Sequence, residues 1–203
     1  MTSPKGRELP DLVHGAWARR CLTVGAGERF ETQHVVWIQA GACFADVRVP
    51  FHPDAAERAF AGRSGWAGSD YRWSHGIDLY PISGDDTGQL SWEDGLLVER
   101  GIFPSDHGEV AYVEWWERLD GADGPFVALE APGACLVRAG GHAITVVDRR
   151  ESGGDFAACY RVHDRGRWTV KASIGDGASL PSPDEAPRDW RVIHSGSTEV
   201  VTA

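Results

Sequence analysis

No Lys/Arg run in the chain exceeds two residues, and the formal net charge is −10 with an isoelectric point near 5.2. The sequence therefore offers no electrostatic footprint for phosphate backbones or anionic lipid, and neither nucleic acid nor membrane is an expected partner. No stretch comes near the roughly 18 uninterrupted apolar residues of a spanning helix. The amino-terminal MTSPKGRELPDL has no apolar signal core, so a cytoplasmic location is expected. Cysteine is sparse: Cys21, Cys43, Cys135 and Cys159 lie far apart, with no CxxC pair, each inside an apolar run. They read as reduced, small core residues rather than a metal or disulfide set.

Catalytic signatures are missing as well. There is no Walker loop, and Gly25-Ala26-Gly27 lacks the third glycine and following helix of a dinucleotide fold. The eight histidines include no HxH or HExxH pair, and no GxSxG is present. No metal and no cofactor is expected; a haem, which needs only one axial histidine, stays open.

What the chain does have is tryptophan, nine against a single methionine. At 203 residues, with 42% hydrophobic and 25% charged side chains, it is long enough to bury roughly 70% of its unfolded surface. Short runs rich in Val, Ile, Trp, Tyr and Thr recur between Gly/Asp/Ser/Pro turn clusters, the pattern of an all-β barrel or sandwich. Strands are expected at 15–24, 34–39, 43–49, 69–80, 88–93, 96–103, 109–119, 126–130, 134–139, 142–150, 156–163, 166–174 and 189–195. One short helix is expected at 54–60, where Asp54 can cap DAAERAF after Pro53. Turns such as LDGADGP and HDRGR favour an antiparallel meander. The expected organisation is an N-terminal barrel half over 12–103 and a C-terminal half over 108–195, or one continuous barrel over 12–195, with residues 1–11 and 196–203 as frayed ends.

Alternate side chains of a strand face opposite ways. In VVWIQAGACFADVRVP, residues 35–50, one face carries Val36, Ile38, Ala45, Val47 and Val49, and the other Trp37, Gln39, Phe44, Asp46 and Arg48. Two readings of the mixed face stand open. Either Asp46 and Arg48 form a surface ion pair beside partly covered rings, or the mixed face lines a barrel interior as a binding pocket requires. SDYRWSHGIDLYP repeats the mixture, with His75 on the face of Tyr71 and Trp73. In EVAYVEWWERL, Glu114 lies between Tyr112 and Trp116, so it either pairs with Arg48 or Arg100 or carries a raised pKa. Glu99 is the other carboxylate set in an apolar strand.

Three phrases, VVWIQAGACFADVRVP, GQLSWEDGLLVERGIF and YVEWWERL, followed by the turn LVRAGGHAI and the strand DWRVI, resemble a little-characterised family of lipocalin-like (calycin) β-barrel proteins of yeasts and bacteria. The resemblance implies a calycin barrel, including the option of two small dissimilar barrels divided near 103–108, and a habit of binding small apolar or aromatic molecules. It carries over no catalytic residue. The functional expectation is accordingly a small hydrophobic or aromatic ligand held in a barrel cavity by Trp37, Gln39, Arg48, Trp73, Tyr80, Tyr112 and Trp116. The alternative is a cofactor-independent cyclase or isomerase of secondary metabolism. It would use Glu114, Glu99, Asp46 or His75 as acid or base, with Arg48 or Tyr80 stabilising developing negative charge.

Overall fold

The protein, as a computed structural model, is described over residues 13–105 and 108–197. Residues 1–12 and 198–203, which hold most of the ends expected to fray, and His107 lie outside the described residues. Eight strands form a closed antiparallel barrel in chain order: β1 (Gly15–Val24), β2 (Gln33–Ala40), β3 (Cys43–Pro50), β4 (Arg58–Ala67), β5 (Asp70–Asp78), β6 (Asp86–Glu93), β7 (Leu96–Ser105) and β8 (Gly108–Arg118), with β8 returning to pair with β1. Six more strands follow: β9 (Pro125–Ala131), β10 (Ala134–Ala139), β11 (His142–Asp148), β12 (Phe156–Asp164), β13 (Arg167–Ile174) and β14 (Arg191–Ser197). They make a second sheet in the order β13-β12-β11-β10-β9-β14. The chain passes from barrel to sheet after Arg118, whereas near 103–108 the described residues Phe103–Ser105 of β7 pair with Gly108–Val110 of β8. Gly196 and Ser197, expected in the frayed end, complete β14.

The expected helix over 54–60 does not form. Residues 51–55 are turn and bend, and Arg58–Ala67 is strand β4. An isolated helix of seven residues is below the length at which helix propagation outweighs nucleation. As a strand the same residues pair on both sides, with Asp46 opposite Phe60 on β3 and Phe60 opposite Asp78 on β5. Ala59 and Ala61 then face out of the barrel and Phe60 faces in.

The alternation read in β2 and β3 runs through four strands. Ala16, Val36, Ile38, Ala45, Val47, Ala59 and Ala61 point outward and pack against Val137, Ile144, Val146 and Ala158 of the second sheet. Trp17, Val35, Trp37, Phe44, Phe60, Tyr71, Trp73, Leu90, Leu97 and Trp116 point inward and fill the barrel. Small outward residues let the second sheet lie flat against the barrel wall, with β10 over β2 and β3. The mixed face of β2–β3 is therefore interior: Trp37, Gln39 and Asp46 are at most 3% exposed.

The barrel wall is continuous except at one seam. The β5–β6 ladder spans only Tyr71–Trp73 opposite Gly88–Asp86, so the upper half of β5 leaves its β6-side edge to the loop 79–85. β5 also carries a bulge, since Gly62 of β4 lies opposite His75 just after Ala61 lies opposite Ile77. A Cβ on Gly62 would meet the Ser74 carbonyl oxygen at 2.0 Å. Gly62→Ala is expected to cost about 1–3 kcal/mol of stability in urea denaturation, while Gly65→Ala, whose Cβ would meet nothing within 4 Å, changes it by less than about 0.5 kcal/mol. Equal stability of the two variants would contradict this packing.

Candidate functional site

Antiparallel meander order places the β1–β2, β3–β4, β5–β6 and β7–β8 connections at one end of the barrel. The ionisable interior residues gather towards that end, because β3 and β7 run towards it and β6 and β8 start from it. Beneath them lies an aromatic floor. Trp37 meets Trp73 at 5.7 Å and Trp116 at 5.6 Å between ring centroids, both edge to face.

Strand register creates the electrostatic problem of this site. Glu99 on β7 lies directly opposite Glu114 on β8, both pointing inward and both nearly buried. Two carboxylates in that relation repel strongly. Arg19 resolves one half: its Nη1 donates to Glu114 Oε1 at 2.5 Å, while Nε and Nη2 hold Glu31 at 2.8 and 3.0 Å. Arg48 is taken by Asp46, with Nε donating at 2.9 Å. Among the described residues no arginine donates a hydrogen bond to Glu99, which receives the Tyr112 hydroxyl at 2.8 Å. Burial, with the Glu114 and Asp86 charges beside it, holds the Glu99 carboxyl well above the usual carboxylate range. Burial also raises Glu114, against the pull of Arg48 and Arg19. Burial, followed by the Glu99 charge, raises the Tyr112 hydroxyl in turn.

The bore itself is packed rather than hollow. At the ionisable end a void of about 20 Å³ is lined by Trp37, Phe44, Asp46, Arg48, Phe60, Trp73, Asp86, Glu99 and Trp116. Pockets that enclose a whole small molecule run from about 300 Å³ upward, and a void of this size holds a group the size of one water. Trp116, 2% exposed, is one of the lining residues, and its indole Nε1–H has no hydrogen-bond acceptor among the described residues. Around the same end, Phe30, Phe51, Tyr80, Ile82, Ile102 and Phe103 are exposed. These six of the nine large hydrophobics exposed among the described residues lie on or next to the connections at that end and supply its apolar rim, with Ile82 also lining an opening outside the barrel.

Larger openings lie outside the barrel, between the β5 bulge and the β9–β10 turn, at about 450 and 290 Å³. Most of their charged groups are engaged, Arg63 with Glu130, Asp148 with Arg150 and Asp78 with His75, although Glu151 lines the smaller opening and His75, which lines both, keeps a buried Nε2 without a partner among the described residues. Cys135, in the same cleft, has its thiol pushed up to about 12 by burial. The barrel end, where buried carboxyls, an arginine and an unpartnered indole share one void over an aromatic floor, is the better candidate.

The structure brings Trp37, Arg48, Trp73, Trp116, Asp46 and Glu99 together around the void, with Tyr112 and Glu114 immediately behind Glu99. Three expected residues are elsewhere. Gln39 sits towards the opposite end, fully engaged: Nε2 donates to the Gly41 carbonyl at 2.5 Å, and Oε1 accepts from Ser64 Oγ at 2.9 Å and Trp37 Nε1 at 3.3 Å. His75 stacks on Phe60 at 4.2 Å and its Nδ1 meets Asp78 Oδ2 at 2.7 Å, off the lining of the void. Tyr80 lies beyond the end of β5 and is 51% exposed on the rim. The expected partners of Glu114 need one correction: Arg100 points out of the barrel to Ser91 and Glu93, and the residue that grips Glu114 is Arg19.

Arg19, Glu31, Phe60 and Asp86 are the site residues that sequence reasoning does not find. Phe60 falls in the expected helix, and Asp86 in a turn cluster that opens β6. Arg19 shares the inward face of Trp17 and could be found by that alternation, but the irregularity between Arg19 and Cys21 interrupts the pattern. Among the described residues no group of three or more His, Cys, Asp or Glu side chains is arranged to hold a metal ion, and no helix is long and apolar enough to cross a membrane.

No protein-family description and no curated protein matches the chain. Among solved structures it is similar to an uncharacterized protein from Saccharomyces cerevisiae, with a TM-score of 0.74 at 15% identity, over 91% of this chain and 100% of that one. The likeness is one of fold.

The raised carboxyls set a pH signature. A folded Glu99 that holds a proton the unfolded chain releases makes the native state bind more protons, so its contribution to stability is greatest near the ordinary glutamate pKa of about 4.3 and is lost as pH rises towards the elevated folded value. Replacing Glu99 by Gln removes that loss. The variant is expected to gain stability relative to wild type between pH 5 and 8, by about 1.4 kcal/mol for each unit the carboxyl is raised, in urea denaturation at both pH values. A difference that does not grow with pH would show Glu99 to be charged.

Proposed function

We propose that the ionisable end of the barrel binds a small, mostly apolar or aromatic molecule, whose one small polar group enters the void over Trp37, Trp73 and Trp116 while its body lies on the apolar rim. The observation that carries this is the buried Trp116 Nε1–H, left without an acceptor where the aromatic floor meets Glu99. Buried donors are normally satisfied, and an unsatisfied one on a residue that lines a small void near exposed apolar side chains marks a place for something else to bind. The reading differs from a hollow lipocalin-type cavity, since the bore admits a head group and not a whole ligand. It calls on no cofactor; a haem macrocycle is far larger than the void.

A cofactor-free cyclase or isomerase is the second reading, favoured by one observation. Burial and the neighbouring Glu114 and Asp86 charges raise the Glu99 carboxyl beside Tyr112 and Arg48, which favours its proton-donor form in an aromatic setting. Binding is the premise of both readings, so binding is tested first.

Tryptophan fluorescence titrated with a panel of aromatic and aliphatic compounds, each bearing one small polar group, is expected to show saturable change for some members. Trp116→Phe removes the unpartnered N–H together with the ring atoms that carry it; at this buried position it should cost about 1–3 kcal/mol of stability and weaken those ligands about fivefold. If no panel member gives a saturable signal, the proposed site does not bind small molecules.

A further inference from the structure

The remaining question is what kind of polar group the barrel end admits, and this inference rests on the binding reading above. We propose that the group is the carbonyl oxygen of an otherwise apolar, uncharged molecule, accepted by hydrogen-bond donors that converge on the void.

Three observations select it. The first is size: a void of about 20 Å³ accommodates a single oxygen, not a carboxylate, phosphate or guanidinium. The second is donor supply. Trp116 offers its free N–H. Arg48 lines the same void, with Nε and Nη2 on Asp46, and its Nη1 is not engaged by that pair. Glu99, with Tyr112 donating to Oε1, keeps its second oxygen for a proton of its own. The third is charge. Apart from Glu99, taken as the acid, Asp46, Asp86 and Glu114 face the void or the groups behind it, and among the described residues Arg48 and Arg19 oppose them. An anionic ligand is repelled by that set, and a cationic one would meet the donors of Trp116 and Arg48 head on. A neutral acceptor satisfies both conditions. A protonated carboxylic acid held by a tyrosine in an apolar site is an established way to grip a carbonyl oxygen.

Protonation of Glu99 follows from its surroundings. Tyr112 and Glu114 on β8, Asp86 on β6, and Asp46 with Arg48 on β3 face it; Arg19 on β1 is spent on Glu114 and Glu31. The carbonyl therefore binds the acid form, and affinity falls as pH rises through the Glu99 transition. A bound amine would give the opposite slope. The apolar rim, with Tyr80, Ile82 and Phe51 exposed, is where the body of the molecule rests.

Acetophenone, carbonyl-labelled with carbon-13, is the probe, with ethylbenzene, benzoate and 1-phenylethylamine as its relatives lacking a neutral carbonyl. The expected result is saturable tryptophan quenching by acetophenone with a downfield shift of its carbonyl resonance, at least fivefold tighter than for the other three. Binding weakens with rising pH in the wild type. Glu99→Gln, which keeps a donor, loses the pH dependence; Glu99→Leu, which has none, loses about fivefold in affinity at low pH. Ethylbenzene binding as well as acetophenone overturns the carbonyl inference while leaving the small-molecule reading intact, and so does phenylethylamine binding more tightly as pH rises. If none of the four binds up to its solubility limit, both fall. An unchanged carbonyl resonance on saturation also overturns the inference, because it places the oxygen away from the donors.

Discussion

Four strands of the barrel are buried on both faces, and the rest of the molecule is arranged around that fact. A strand with no solvent face cannot place a polar residue wherever it is harmless. On the outward side β1–β4 use alanine, valine and isoleucine, because a second sheet lies flat against them. On the inward side the same strands supply the large rings that fill a closed eight-stranded barrel. Where the second sheet covers these strands an ionisable group goes inside; Arg20 and Arg63, beyond the covered stretch, face outward. Inside, Arg19 reaches Glu114 on the neighbouring strand β8, and Arg48 pairs with Asp46 on its own strand.

Inside, the number of carboxyl groups exceeds what two arginines can serve, and geometry decides which is left over. Arg19 binds Glu31 through two nitrogens and Glu114 through the third; Arg48 is committed to its own strand neighbour two residues away. Among the described residues Glu99 receives a tyrosine hydroxyl and no guanidinium. A buried ion in that position would cost several kcal/mol, whereas a neutral acid costs little. Strand register thus pushes this carboxyl towards its proton-bearing form: it sits opposite Glu114 and neither guanidinium donates it a hydrogen bond. The packed tryptophans beneath keep out the water that would otherwise solvate the charged form.

Much of this was legible in the alternation of VVWIQAGACFADVRVP, since aromatic and polar residues sharing one face of a strand can be told from small aliphatics on the other. What alternation leaves open is which face is inside, because that depends on the second sheet, and nothing local in residues 35–50 announces it. It also cannot distinguish Gln39 from Arg48 on the same face: one closes a hydrogen-bond set with Gly41 and Ser64, the other stands at the void. Register across strands is longer range still. Glu99 and Glu114 are each readable as odd carboxylates in apolar strands, but that they oppose one another is a property of the β7–β8 pairing. The strand β4 was hidden by a local capping signal at Asp54 that tertiary pairing overrides.

A filled bore changes what kind of binding the barrel can support. A ligand that inserts one oxygen and rests on the rim buries on the order of 150 Å² of aromatic surface, which at about 25 cal/mol/Å² contributes about 4 kcal/mol. A neutral hydrogen bond adds about 1 kcal/mol net. Before the entropy of association is subtracted, the sum corresponds to a dissociation constant no tighter than about 0.1 mM. Such a site exchanges its occupant quickly and stores nothing. Its selectivity comes from the donors, since a molecule without an acceptor leaves the Trp116 N–H and the acid of Glu99 unsatisfied. On this arrangement the aromatic interior is scaffolding: its role is to hold three donors at one point and keep that point dry.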